Sequence, residues 1–142
     1  MDETRNSNLD KARAYIELFN DRTAVAAQFL PFWHEEIQFR ELPNLISPHG
    51  SNRNREVMAT GIAQGAQILT RQQYTILNAI ESGDTVVLEV EWEGELAIPF
   101  GAVPAGATLR AHIAMFLEFV DGRIIRQRNY DCYEPLPIVP KV

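Results

Sequence analysis

Two long apolar-rich runs joined by Asp121-Gly122 constrain this chain more than any other stretch. The first spans Ala107 to Val120 and the second Arg123 to Pro135. Asp and Gly both tolerate the positive φ of a tight turn, so this pair between two such runs predicts a β-hairpin. The hairpin is expected at the centre of a curved sheet. Side chains alternate faces along a strand, which puts Ile125, Gln127, Asn129 and Asp131 on one face of the second strand. An apolar face that turns polar towards the strand end has the character of a pocket wall.

The segments before the hairpin supply helices first and strands later. Ser7 or Asn8 can cap a first helix, with Asp10 in its first turn where a negative charge suits the helix dipole. Leu9, Ala12, Ile16 and Phe19 recur at helical spacing, with Tyr15 beside them, as far as about Asn20. Thr23 is expected to cap a short second helix over Ala24 to Leu30, which Pro31 ends. Trp33 to Glu41 then alternates Trp33, Glu35, Ile37, Phe39 and Glu41 against polar neighbours, so it reads as a strand. Pro43 to Gly50 must be loop. Ser51 or Asn52 is expected to begin a third helix with Val57, Met58, Ile62, Ala66 and Leu69 as its buried stripe. Gly61 and Gly65 lie within that helix at a cost of roughly 1 kcal/mol each against Ala, which close approach of the helix to the sheet would offset. Two more strands follow, Gln72 to Glu81 and Thr85 to Pro99, turned at Gly83-Asp84. In the latter, Val86, Leu88, Val90 and Trp92 face inward and Val87, Glu89, Glu91 and Glu93 outward.

Three helices followed by a meander of strands give an α+β domain over residues 1–142, with the helices packed in a strongly curved antiparallel sheet. A sheet bent around three helices forms a cone whose open end leaves a cavity, the natural ligand site. A formal net charge of −6 argues against broad phosphate contacts, so the expected partner is a small molecule or a protein and not nucleic acid. Cys132 is alone and cannot form an intrachain disulfide. Together with the lack of a signal-like start or a membrane-length apolar run, this predicts a cytoplasmic protein. His34, His49 and His112 lie on different elements, so neither metal nor other cofactor is expected. The outward set Val87, Ala114 and Phe116, among Glu89, Glu91, Arg110 and His112, predicts a homodimer through the outer sheet face.

The order of elements, with Glu41-Leu42-Pro43-Asn44, Gly50, Asp121-Gly122-Arg123-Ile124 and the run Arg128-Asn129-Tyr130-Asp131-Cys132-Tyr133-Glu134-Pro135, resembles the nuclear transport factor 2-like superfamily and, within it, the SnoaL-like proteins. The resemblance covers essentially the whole chain and is specific for fold. It is poor for function, because the superfamily includes ketosteroid isomerases, polyketide cyclases, epoxide hydrolases, dehydratases and non-enzymatic binders. It implies that Tyr15 stands where the isomerases place an oxyanion-binding tyrosine, and that Glu41, two residues before Pro43, stands for their base. Their protonated sheet aspartate has no counterpart, since Ala114 or Met115 falls there. Limonene epoxide hydrolases need an arginine and an aspartate where this chain has Val90 and Trp92, and their final aspartate aligns with Asn129, so that chemistry is not implied. The cyclases' aspartate corresponds to Asp131, or in the alternative register to Asn129.

The expected site therefore has Glu41 as a base whose pKa is raised in an apolar pocket, Asp131 and Asn129 as polarising or reprotonating groups, and Tyr15 as a donor. Phe39, Met58, Val90, Trp92, Ile113, Met115 and Gln127 would line it. The expected function is small-molecule binding, with isomerase, cyclase or dehydratase chemistry on an apolar ketone-like substrate. The alternative is a non-catalytic binding or dimerisation module.

Overall fold

A computed structural model describes residues 7–138. The first helix, α1 (Asn8–Phe19), begins as expected: the Ser7 hydroxyl accepts from the Asp10 backbone N–H at 3.0 Å. Its stripe of Ala12, Tyr15 and Ile16 is buried. The C-terminal residue Asn20 clamps the helix to a strand, accepting from the Tyr74 N–H at 2.6 Å and donating to the Tyr74 carbonyl at 3.0 Å. The second helix is shorter than expected, α2 (Ala26–Phe29), followed by a 3-10 turn at Leu30–Phe32. Thr23 does not cap it. Thr23 donates its N–H and hydroxyl to Asp21, and Gln28 instead accepts from the Val25 N–H at 2.8 Å.

Strand β1 (Trp33–Glu41) follows. Trp33 and Ile37 are buried on its inner side, but Glu35 is exposed, contrary to strict alternation. The register of β1 against its neighbour shifts between Trp33 and Gln38, and that irregularity releases Glu35 to solvent. Ser51 does not open a helix either. Ser51–Arg53 is a short strand, β2, paired antiparallel with the end of β1, and three residues are too few to show a period. Gly50 brings the chain there with φ +66°, and a Cβ on it would lie 2.4 Å from the Glu41 carbonyl oxygen. The third helix, α3 (Arg55–Ile68), is capped by Asn54, whose side chain accepts from the Val57 N–H at 2.9 Å. Met58 is buried and Ile62 packs on the core, whereas Val57 is 49% exposed and Ala66 is also exposed.

Four long strands follow α3: β3 (Leu69–Ser82), β4 (Thr85–Leu96), β5 (Thr108–Val120) and β6 (Arg123–Tyr133). The β5–β6 turn has the predicted chemistry, Asp121 and Gly122 both having positive φ, 51° and 77°. The sheet order is β2-β1-β6-β5-β4-β3. It is mixed and not purely antiparallel, because β1 runs parallel to β6 while the other neighbouring pairs are antiparallel.

The core lies on the inner face, where Val86, Leu88, Val90 and Trp92 of β4 meet Ile113, Met115 and Leu117 of β5, with α1 resting on β3 and β4. On β6 the inner face is Ile124, Gln127, Asn129, Asp131 and Tyr133. Ile125 is not part of it, because the pairing steps from Phe119↔Ile124 to Glu118↔Arg126 and leaves Ile125 as the extra residue of a bulge. Among the described residues no helix is long and apolar enough to cross a membrane.

Candidate functional site

Alternation beyond the bulge brings three consecutive inward polar residues of β6 together, and each is placed by a different neighbour. Gln127 is 3% exposed. Its amide is held between α1 and its own strand: the Tyr15 hydroxyl donates to Gln127 Oε1 at 2.8 Å, and Gln127 Nε2 donates to Asn129 Oδ1 at 3.0 Å. The Trp33 indole N–H in turn donates to the Tyr15 hydroxyl at 3.0 Å. Tyr15 is 1% exposed, its one proton is committed to Gln127, and burial raises its pKa. Its hydroxyl thus holds Gln127 and does not point a free donor at a cavity.

Asp131 stands at the other end of this row. Its Oδ1 is buried and has no hydrogen-bond partner among the described residues. Burial, and secondarily the nearby Glu41 carboxylate, pushes the Asp131 carboxyl up from its usual 3.8 to about 7. Glu41 has polar partners around it. Glu41 accepts from Asn44 Nδ2 at 2.7 Å, lies 3.5 Å from the Ser51 hydroxyl, and pairs with Arg53 at 3.7 Å. It is a compensated carboxylate at the end of β1, and the desolvated, unpartnered one is Asp131. The two belong to one cluster because β1 and β6 are neighbours, with Glu41 opposite Asn129 in register.

Aromatic residues wall this end. The Tyr133 phenol has its pKa raised by burial, then by Asp131 and Glu41; Tyr74 is raised by burial first and next by Asp131. The Tyr133 ring meets Trp92 edge-on at 6.1 Å. Trp92 is fixed at its other end by donating to Gln72 Oε1 at 3.0 Å, and its ring lies along its own strand over Gly94, where a Cβ would come within 2.4 Å of it. Phe39 is half-buried beneath Arg53, whose guanidinium sits 5.7 Å from the ring centre. Val90, Ile113, Met115 and Met58 are buried in the core. Ile113 and Met115 are the β5 partners of Asp131 and Asn129.

A cleft of about 220 Å³ opens between α3 and the start of β3, lined by Leu18, Phe19, Ile62, Leu69, Gln72 and Tyr74 among others. Gly61 and Gly65 line it as well. They do not bring the helix onto the sheet, since a Cβ at Gly65 would meet nothing within 4 Å and one at Gly61 only the Arg53 guanidinium at 3.7 Å. The expected close approach is replaced by open space. Glu41 and Asp131 do not line this cleft, whereas Tyr74, the strand partner of Trp92, does.

Residues 12–127 match the family model of the SnoaL-like domain. The chain belongs to the SnoaL-like domain family. A comparison with curated proteins finds no match. Among solved structures, IdmH of Streptomyces antibioticus, a candidate polyketide cyclase, is similar at 21% identity and TM-score 0.71, over 89% of this chain and 92% of that one. A protein of unknown function with an NTF2-like fold from Burkholderia pseudomallei is similar at 16% identity and TM-score 0.71, over 89% and 91%. A protein with a ketosteroid isomerase-like fold from Catenulispora acidiphila, solved in complex with trimethylamine, is similar at 16% identity and TM-score 0.66, over 85% and 84%. These likenesses establish the NTF2-like α+β fold.

In this SnoaL-like domain the sequence-expected residues Glu41, Asn129, Asp131 and Gln127 do come together, and both Asn129 and Asp131 face inward. Sequence reasoning missed Trp33, Gln72, Tyr74 and Tyr133 as polar partners. Tyr133 shares the parity of Asp131 and could have been read from it; the contacts of the other three depend on which strands are neighbours.

Proposed function

We propose that this protein binds a small, largely apolar molecule carrying a carbonyl-type oxygen, and moves a proton on it with Asp131 and Glu41. The observation that carries this reading is the buried Asp131 carboxyl, unpartnered at Oδ1 and pushed up to about 7 beside a second carboxylate. A group titrating near neutrality can both give and take a proton at physiological pH, which general acid–base chemistry needs. Glu41, held by Asn44 and Arg53, is the partner that takes a proton from the ligand. Asn129 supplies a polar contact to the ligand oxygen, with Gln127 and Tyr15 holding its amide. Phe39, Met58, Val90, Trp92, Ile113 and Met115 form the apolar surround.

The reading is tested by screening a library of cyclic and aromatic ketones for solvent deuterium incorporation at the carbon next to the carbonyl. Asp131→Asn and Glu41→Gln should each reduce exchange by about 10²-fold or more. Exchange that persists at the parent rate in both variants would refute proton transfer by this pair.

A second reading is a binding module without turnover. The absence of Glu41 and Asp131 from the lining of the cleft favours it, because a ligand confined to the cleft would not touch either carboxyl. In that case ligands bind the parent and both variants alike and no exchange occurs. We also propose a homodimer through the outer sheet face, where Phe116 and the 44%-exposed Tyr130 pack edge-on at 5.7 Å and Arg128 lies over Phe116. An aromatic patch of this kind on a sheet is suited to a second copy.

A further inference from the structure

The cleft between α3 and β3 plays no part in the carboxyl chemistry, since neither Glu41 nor Asp131 lines it. Its walls are apolar, with Leu18 and Phe19 from α1, Phe29 from α2, Ile62 from α3 and Leu69 from β3. All of these except Phe29 are only half-buried, so they present apolar surface to a hollow and not to a closed core. Gly61 and Gly65 complete the wall on α3. Glycine at both positions gives up helix propensity, and the space it leaves is not refilled, because a Cβ at Gly65 would meet nothing within 4 Å. The hollow measures about 220 Å³. An apolar cavity of about 150 Å³ already holds benzene, so this one has room for an aromatic ring with a short chain.

The polar side chains around the cleft decide which end group such a ligand carries, and nearly all of them are already engaged. Asp21 accepts from the Thr23 N–H and hydroxyl at 2.8 and 2.7 Å. The Thr70 hydroxyl donates to Glu95 Oε1 at 2.9 Å, and Arg71 pairs with Glu93 and Glu95 at 3.1 and 3.4 Å. Gln72 uses both ends of its amide, donating to the Phe19 carbonyl at 3.3 Å and accepting from the Trp92 indole at 3.0 Å. The Tyr74 hydroxyl belongs to the carboxyl cluster, since its pKa is raised by burial and next by Asp131. Arg22 remains. It is exposed on the rim of the cleft and makes no ion pair among the described residues.

We propose that this cleft is a second binding site, separate from Glu41 and Asp131, for a small carboxylate with an apolar body. The body lies against Phe19, Ile62, Leu69 and the flat face that Gly61 and Gly65 leave on α3, and the carboxylate pairs with Arg22. A guanidinium presents a planar fork that fits both oxygens of a carboxylate. A neutral end group would leave that cation without a counter-ion, and an ammonium would meet it as a like charge. The proposal stands apart from proton transfer, because it uses neither residue assigned to that chemistry.

The test compares 3-phenylpropionate, 3-phenylpropanol and 3-phenylpropylamine, which share one apolar body and differ in the charge of the end group, by NMR titration of ¹⁵N-labelled protein. The backbone amides of Gly61, Gly65 and Leu69 should move, and those of Asn129 and Asp131 should not. The parent should bind the acid about fivefold tighter than the alcohol, with the amine weakest and the preference shrinking at high salt. Arg22→Gln should bring the acid down to the affinity of the alcohol, whose own binding stays within about twofold of the parent. Gly65→Leu puts a side chain into the open space and raises helix propensity, so it should keep the fold and weaken all three probes about tenfold or more. Equal binding of acid and alcohol by the parent, an acid preference that survives in Arg22→Gln, parental affinity in Gly65→Leu, or shifts confined to Asn129 and Asp131 would each overturn the proposal. So would a parent that binds none of the three.

Discussion

Replacing Asp131 by Asn should stabilise this protein in a pH-dependent way whose size follows from the burial of one carboxyl. The folded state raises the Asp131 pKa from 3.8 to about 7. At about 1.4 kcal/mol per tenfold change in proton affinity, the ionised carboxyl is disfavoured in the fold by up to about 4 kcal/mol. Local relaxation and water entry recover part of such a penalty, so about 2 kcal/mol is the expected gain in Asp131→Asn at pH 8. The sign follows from proton counting. Between pH 4 and pH 7 the native protein keeps the proton on Asp131 that the unfolded chain has already lost, so parental stability falls as pH rises through this window. Below about pH 4 both states are protonated and the penalty is absent. The variant lacks the group, so its advantage should be near zero at pH 4, grow between pH 4 and pH 7, and level off above. Urea unfolding at half-unit pH steps measures this difference directly, with other titrating groups cancelling between the two proteins. In thermal melts at pH 8 the gain corresponds to roughly 4–8 °C. A difference that does not depend on pH, or a variant less stable than the parent at pH 8, would show that Asp131 is either solvated or partnered in the folded protein.

Gly65→Ala should stabilise by about 0.5–1 kcal/mol, because the helix gains propensity and a Cβ there meets nothing within 4 Å, whereas Gly94→Ala should cost about 1–3 kcal/mol by pushing into the Trp92 ring; chemical denaturation reads both. Tyr15→Phe leaves the Trp33 N–H and the Gln127 carbonyl without their shared partner, and should lower stability by about 2 kcal/mol in the same assay, with Tyr15→Leu worse still. Glu41→Gln loses the charge that faces Arg53 and Asn44, so its melting temperature should fall slightly or stay unchanged and not rise, in contrast to Asp131→Asn. Light scattering at micromolar concentration should give a dimer, and Phe116→Glu should shift it to monomer; a monomeric parent refutes the outer-face interface.

The parts of the site that the sequence made legible are those governed by local alternation. The hairpin at Asp121-Gly122, the inward set Val86, Leu88, Val90 and Trp92, and the outward placement of His112, which pairs with Glu134 at 3.0 Å, follow from a two-residue period and turn chemistry. The period failed at Ile125 and Glu35, where a bulge and a register shift insert residues that no pattern within one strand announces. It also failed at Ser51–Arg53, too short to have a period. Glu41 and Asp131 were both picked out, yet the unpartnered carboxyl is Asp131, because the partners of a carboxylate come from other segments: Asn44 and Arg53 reach Glu41, and nothing among the described residues reaches Asp131 Oδ1.

By itself the amino-acid sequence determined the helices, the long strands, the tight turn and, through alternation, which side chains of each strand share a face, since all of these rest on backbone sterics and solvent exclusion acting over a few residues. The tertiary structure decided what no single segment contains. It set β1 parallel beside β6, which brings Glu41 opposite Asn129, and it stacked Trp33, Tyr15 and Gln127 from three elements into one directed relay. It also left open space at Gly65 where contact was expected. Burial and hydrogen-bond satisfaction are properties of the assembled surroundings, and burial, with Glu41 nearby, pushes the Asp131 carboxyl up to about 7.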